Sequence, residues 1–217
     1  MCGRYTLGTT ENLFDRFQIE SDDSELQVRY NVAPSQVMPV VTLEEKRRLE
    51  FMKWGLVPSW SKDPKKALIN ARIEGITTKP SFRKPIRERR CLIPATGFYE
   101  WKKEPGGKTP YHIRRKDAQL FAFAGLYDFW KAPDGEEIKT FAIVTTAAND
   151  LLTQVHNRMP VILSPEQDRL WLETPPGEIA MFLGSLQPLS AEELEMYPVS
   201  RKVNSPRYDL PELIDKC

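Results

Sequence analysis

The chain has 217 residues, 41% of them hydrophobic and 28% charged, with a net charge of +1, which suits one domain with a substantial core or at most two small ones. No stretch approaches the ~20 apolar residues of a membrane span, and no basic segment followed by an apolar run marks a secretory signal, so a cytoplasmic protein is expected. Three cysteines far apart (Cys2, Cys91, Cys217) fit a reducing compartment better than a disulfide framework, and with only His112 and His156 and no CxxC, neither a zinc site nor another cofactor is expected.

The small net charge hides an asymmetry. Residues 11–25 hold six acids against Arg16, and residues 79–103 hold eight bases against Glu88 and Glu100. Such clusters mark either a nucleic-acid surface or a solvated face. Along the chain, Thr10 can cap a short helix over residues 11–17 whose Leu13, Phe14 and Phe17 share one side. Residues 20–25 read as an acidic surface loop, and residues 30–34 as extended, because Pro34 disfavours helix before it. Strands are expected at 37–42 and 49–54 around a turn at 44–47. Residues 58–64 form a loop that exposes Trp60. Residues 67–73 are apolar and strand-like with Asn70 and Arg72 inserted, and 77–90 carry many bases and a short helix. One strand is expected over most of 91–101, then a turn at Gly106-Gly107, strands at 111–115, 120–127 and 140–145, and a hairpin at Pro133-Asp134-Gly135. Asn149 can cap a short helix over 150–155 that leads to His156. Residues 161–163 form a brief strand. Ser164-Pro165-Glu166-Gln167 starts a helix with an N-cap serine, a first-turn proline and a capping-box glutamine; Pro175-Pro176-Gly177 breaks it. A last strand lies at 195–200. These elements specify an α+β fold: a single β-rich domain with a bent sheet or partial barrel and a few short helices over residues 1–200, then a tail at 201–217.

Several residues can carry chemistry. Once Met1 is removed, Cys2 holds a free α-amine and a thiol on adjacent carbons. The amine titrates near 7.7–8.0, well below a lysine, and a 1,2-aminothiol traps an aldehyde first as an imine and then as a five-membered thiazolidine. Asn70 and Arg72, two apart on a strand, put an amide and a guanidinium on one face. Glu100 sits between two aromatics, where a carboxyl is suited to proton transfer. His156 is an acid/base candidate. Arg4 and Arg158 can hold phosphate bidentately. Trp60 with the basic stretch at 83–90, including Arg83 and Lys84, pairs a stacking group with a phosphate track. For each of these a purely structural role is the competing explanation.

Taken together, MCGRY, YNVAP, WGLVPSW, INARIEG, FRKPIRERRCLIPATGFYEWKK, FAGLYD, VTTAAND followed by HNRMPVIL, and YPVS resemble the SOS response-associated peptidase (SRAP) family of abasic-site-processing proteins. The likeness runs from residue 1 to about 200. It implies that Cys2 is the nucleophile toward an abasic site in single-stranded DNA, that Asn70 binds near the reacting sugar, that Glu100 handles protons of the amine and the opening sugar, and that His156 assists ring opening. It further implies that Arg4, Arg72 and Arg158 hold phosphates and that Trp60 stacks on a base. Apart from the resemblance, the sequence leaves the oligomeric state open, with a monomer as the simpler expectation, associated with the nucleoid when bound to DNA, and with no membrane partner and no metal. Two other classes compete: an N-terminal-nucleophile amidohydrolase such as a glutaminase, which also frees a cysteine after Met1, and a non-catalytic reader of modified DNA. Residues from 204 onward match nothing in the family pattern.

Overall fold

Alternation of apolar and polar residues builds two sheets that share one core. The computed structural model describes residues 2–20 and 25–217; Met1 and most of the acidic stretch at 20–25 lie outside the described residues. In chain order the elements are β1 (Tyr5–Leu7), α1 (Leu13–Phe17), β2 (Arg29–Val32), β3 (Val37–Leu43), β4 (Arg47–Trp54), β5 (Asn70–Arg72), α2 (Pro85–Glu88), β6 (Arg90–Ala95), β7 (Gly97–Glu104), β8 (Gly107–Arg115), β9 (Phe121–Lys131), β10 (Glu137–Ala147), β11 (Arg158–Pro160), β12 (Ile162–Leu163), α3 (Pro165–Glu173), α4 (Ile179–Ser185) and β13 (Leu194–Pro198), with short 3-10 turns between them.

Strands β4, β3, β6, β9 and β10 pair in that order, and β10 returns to β4, closing a five-stranded barrel. All of its pairings are antiparallel except β10 with β4. Closure removes the edges that an open sheet would expose. The expected partial barrel is therefore a complete one. The second sheet runs β13-β8-β7-β1-β2 and is antiparallel throughout. Its apolar face lies on the barrel: Tyr5 meets Trp54 and Phe123 edge-on at ring-centre distances of 5.2 and 5.9 Å, and Phe98 meets Phe123 at 6.0 Å.

Three local expectations are corrected. Helix α1 begins at Leu13, with Asn12 in the left-handed region and no side-chain cap, so Thr10 contributes only its carbonyl to Leu13. The single strand expected over 91–101 is two strands in different sheets, β6 in the barrel and β7 beside β1. Thr96 is the crossover, its N–H bonded to the Thr6 carbonyl at 2.8 Å. The short helix after Asn149 is a 3-10 turn at Leu152–Gln154, although the Asn149 side chain does accept from the Leu152 N–H at 3.0 Å. The capping box of α3 forms as expected from its sequence, whereas α4 carries no start signal in the sequence and was not anticipated.

Residues 201–217 pack closely on the second sheet. Val203 and Leu213 are buried with Tyr99, Tyr197 and Val199 in a small second core. The Asn31 amide donates to the carbonyls of Val203, Ser205 and Tyr208. Asp209 accepts the N–H groups of Tyr30 and Asn31 and pairs with Arg29, which covers the free edge of β2.

Candidate active site

The N-terminal arm reaches its position by extending the β1–β7 pairing. Beyond Tyr5↔Phe98 the ladder continues with the Tyr99 N–H donating to the Arg4 carbonyl at 3.0 Å, so residues 2–4 run past Glu100 and Trp101. On its other side the arm meets β5, a short strand held parallel to β10 by the register Ile143↔Asn70. There the Asn70 amide donates to the Cys2 carbonyl at 2.8 Å. The Asn70 Oδ1 atom is buried and accepts no hydrogen bond among the described residues. Since it belongs to the same planar group, this acceptor stands beside the Cys2 backbone.

Cys2 itself is fully buried, its Sγ 3.8 Å from the Arg4 carbonyl. Burial, and after it the nearby Glu100 charge, pushes its thiol well above the usual range. In this state it is a thiol and not a thiolate. Glu100 is 4% exposed and opens onto a cleft of about 480 Å³ that also contains Trp101, Lys102, Lys103, Lys108 and His156. The β7–β8 hairpin register, Lys103↔Lys108, brings the third lysine to that rim. His156 follows the Leu152–Gln154 turn and is half-buried. Its Nδ1 accepts the Arg158 backbone N–H at 3.0 Å, which fixes the neutral ring as the Nε2–H tautomer. A histidine with a defined N–H, in the same cleft as a carboxyl, can donate and return a proton at a bound substrate.

The arginines differ in how they are held. Arg158 makes two hydrogen bonds to Glu74 and one to the Thr145 carbonyl at 2.6 Å, and that contact keeps the Glu74 carboxyl below its usual range. Arg72 is exposed, and its strand pairs at Thr145, the residue whose carbonyl Arg158 binds. Arg4 donates from one nitrogen to Asn31 Oδ1 and to the Val203 carbonyl, both at 2.7 Å, and lies over the Trp101 ring at 6.0 Å. Trp60 is 64% exposed in the loop between β4 and β5. Arg83 and Lys84 line a different groove of about 510 Å³ with Thr77, Thr78, Arg87 and Glu88. Thus Cys2 meets Asn70 directly, Glu100 shares a cleft with His156, and Arg72 and Arg158 both meet Thr145 of β10, with Arg158 also held by Glu74 in the turn after β5, while Arg83 and Lys84 line a separate groove. The lysine rim and Trp101 were missed as site residues. Lys102 and Lys103 were legible next to Glu100, but Lys108 is placed only by the hairpin register. Among the described residues no group of three or more His, Cys, Asp or Glu could hold a metal ion, and no helix is long and apolar enough to cross a membrane.

A buried N-terminal cysteine clasped by an asparagine at the junction of a barrel and a second sheet defines a class, and comparison identifies it. A model of the SOS response associated peptidase (SRAP) family matches residues 1–206, and the chain belongs to that family. It is 43% identical over 222 residues to the abasic site processing protein YoqW of Bacillus subtilis (strain 168), covering 99% of each chain. It is 34% identical over 226 residues to the abasic site processing protein YedK of Escherichia coli (strain K12), again covering 99% of each. A crystal structure of a Bacteroides thetaiotaomicron protein superposes with a TM-score of 0.87 at 32% identity, covering 100% of both chains.

Proposed function

We propose that this protein acts on abasic sites in single-stranded DNA and captures them covalently through Cys2, as a monomer. The observation that carries the proposal is the clasp of the Asn70 amide on the Cys2 carbonyl, beside a cleft that holds Glu100 and His156. The names of the relatives, abasic site processing proteins, support the same substrate.

Hydrolysis of the Met1–Cys2 bond, by the protein itself or by an aminopeptidase, frees the α-amine. The abasic sugar is a cyclic hemiacetal in equilibrium with an open aldehyde. His156, with its proton on Nε2, acts as the general acid on the ring oxygen while the hemiacetal O–H gives up its proton. The Cys2 amine adds to the aldehyde carbon, and loss of water leaves the imine. Asn70 orients the amine through the acceptor next to the Cys2 backbone, and Glu100 takes and returns its protons. The Cys2 sulfur then adds to the imine carbon as its S–H proton passes to the nitrogen, closing a thiazolidine. The balance is aldehyde plus aminothiol giving thiazolidine plus water. Ring closure removes the imine that would promote β-elimination, so the strand is shielded from breakage. Arg4, Arg72 and Arg158 hold backbone phosphates, Trp60 stacks on a base, and Arg83 and Lys84 extend the phosphate track.

Intact-mass analysis before and after incubation with a single-stranded oligonucleotide carrying one abasic site tests this. Loss of Met1 and a heat-stable adduct that is absent from Cys2→Ala are expected, with at most a labile imine from Cys2→Ser. A processed N-terminus that yields no adduct, together with release of ammonia from glutamine, would replace this mechanism with amide hydrolysis.

A further inference from the structure

Trp60 is exposed, yet the loop that carries it is built as rigidly as a strand. Four alternate residues of the loop are tied to β9 and β10. The Gly55 N–H donates to the Phe141 carbonyl at 2.8 Å. The Val57 N–H donates to Thr140 Oγ1 at 2.9 Å. The Ser59 N–H donates to Asp128 Oδ2 at 2.9 Å, and the Ser61 carbonyl accepts from Trp130 Nε1 at 2.7 Å. A second tie crosses the loop, where Leu56 and Leu68 exchange both backbone hydrogen bonds at 3.0 and 2.8 Å. The lower rungs are ordinary for a chain leaving a sheet. From Val57 on, side chains take the place of a partner strand, and the upper two rungs, from Asp128 and Trp130, continue the ladder beyond the sheet as far as Trp60.

Those side chains are themselves fixed. Asp128 is 3% exposed and its other oxygen is paired with Arg89 and with the Phe129 N–H. Arg89 lies over the Phe129 ring at 4.8 Å. Trp130 is 6% exposed. A buried carboxylate and a buried indole thus spend hydrogen bonds on the two neighbours of a largely exposed tryptophan. A surface loop with no task has no need of such a mount, since water would satisfy Ser59 and Ser61 equally well. An aromatic that stacks on a nucleic-acid base gains from it, because a fixed ring loses less conformational freedom on binding.

We infer that Asp128 and Trp130 are positioning residues for DNA binding: they hold the 58–61 loop so that Trp60 is presented as a preformed stacking platform. This rests on the reading of Trp60 as the base-stacking group. Asp128 touches no substrate in this role, and Arg89 serves by holding Asp128 in place.

Fluorescence anisotropy with an unmodified single-stranded oligonucleotide tests the inference without requiring any covalent chemistry. Four proteins are compared: the native chain, Trp60→Ala, Asp128→Ala, and the double variant. Trp60→Ala is expected to weaken binding about tenfold, within the range for loss of one base stack. Asp128→Ala is expected to weaken it about fivefold. In the double variant the Asp128 change is expected to add less than about twofold, because its only route to DNA has already been removed. Trp130→Phe keeps the ring and deletes the N–H donor, so it repeats the test at about threefold should Asp128→Ala fold poorly. The maximal rate of adduct formation in saturating DNA is expected to stay within about twofold for Asp128→Ala and Trp130→Phe. A full, additive Asp128 effect in the Trp60→Ala background overturns the inference, as does unaltered binding by Trp60→Ala. Failure of the native chain to form an adduct would strike the crosslinking mechanism and leave this binding result standing.

Discussion

At the scale of single residues, the proposed mechanism makes Asn70 the test that separates holding the nucleophile from holding the DNA. Its amide donates to the Cys2 carbonyl, and its oxygen is buried beside it without an acceptor role among the described residues. Removing a preorganised hydrogen-bonding group from a reacting centre typically costs about 10²-fold in rate. Asn70→Ala is therefore expected to slow adduct formation by about 10–100-fold under single-turnover conditions while the affinity for unmodified single strands changes less than about threefold. Comparable losses in both would assign Asn70 to DNA binding and not to the orientation of Cys2. On the proposed mechanism Glu100 and His156 divide the proton work by position. The Glu100 charge acts on the Cys2 thiol, and His156 offers a defined N–H to the same cleft. Glu100→Gln is expected to impair the step that consumes the amine, and His156→Gln the step that opens the sugar. A ring-opened aldehyde analogue supplied in place of the abasic site would rescue the second variant only.

At the scale of elements, the crossover between the two sheets depends on one small residue. A side chain at Gly97 would collide with the His112 ring and lie 2.8 Å from the Ile113 carbonyl. Gly97 opens β7, the strand that carries Glu100 three residues on. Overpacking of this kind costs about 1–3 kcal/mol. Gly97→Ala is thus expected to lower the melting temperature by about 3–10 °C for a chain of this size and to disturb the adduct rate, since backbone that shifts at 97 shifts Glu100. Calorimetry and single-turnover kinetics on one preparation check both. The same strand shows what the sequence could and could not convey. GFYEW was readable as a strand bearing one carboxyl between aromatics. That β6 and β7 belong to different sheets was not, because a largely apolar, buried run continues from Cys91 to Tyr99 and the change of sheet shows only in its long-range partners, Thr96 with Thr6 among them. Asn70 and Arg72 were readable on one strand face, whereas the engagement of Arg158 by Glu74 was not, since the two are 84 residues apart. Residues 201–217 looked like a tail because their apolar residues are few and unperiodic. They pack through two buried apolar anchors, Val203 and Leu213, and through polar groups, with Asn31 and Asp209 satisfying backbone partners across the chain.

At the scale of the whole molecule, two buried ionisable groups set opposing responses to acid. His112 is 1% exposed, between Tyr197 OH and Thr6 Oγ1. The Tyr197 hydroxyl already donates to the Ile214 carbonyl, so His112 Nδ1 carries the proton and Nε2 accepts. Burial, and then the Arg114 charge, lowers its pKa from 6.5 to about 3. The unfolded chain binds this proton first, so stability falls as pH drops below about 6.5, by about 3 kcal/mol on reaching pH 4. Asp168, fully buried against Arg16, runs the other way. Burial outweighs the Arg16 charge and hydrogen bond and raises its pKa from 3.8 to about 6. Here the folded chain binds the proton first, so stability is regained as pH falls through about 6 towards 4, by about 2–3 kcal/mol. The two contributions nearly cancel between pH 6.5 and 4. The native chain is therefore expected to show a shallow pH dependence of unfolding free energy over that range. Asp168→Asn removes the compensating term and leaves His112 unopposed, so this variant is expected to lose about 2–3 kcal/mol more than the native chain between pH 6.5 and 4. Urea denaturation at half-unit pH intervals measures the difference; parallel curves for the two proteins would mean that Asp168 is ionised throughout, with Arg16 and not burial governing its charge.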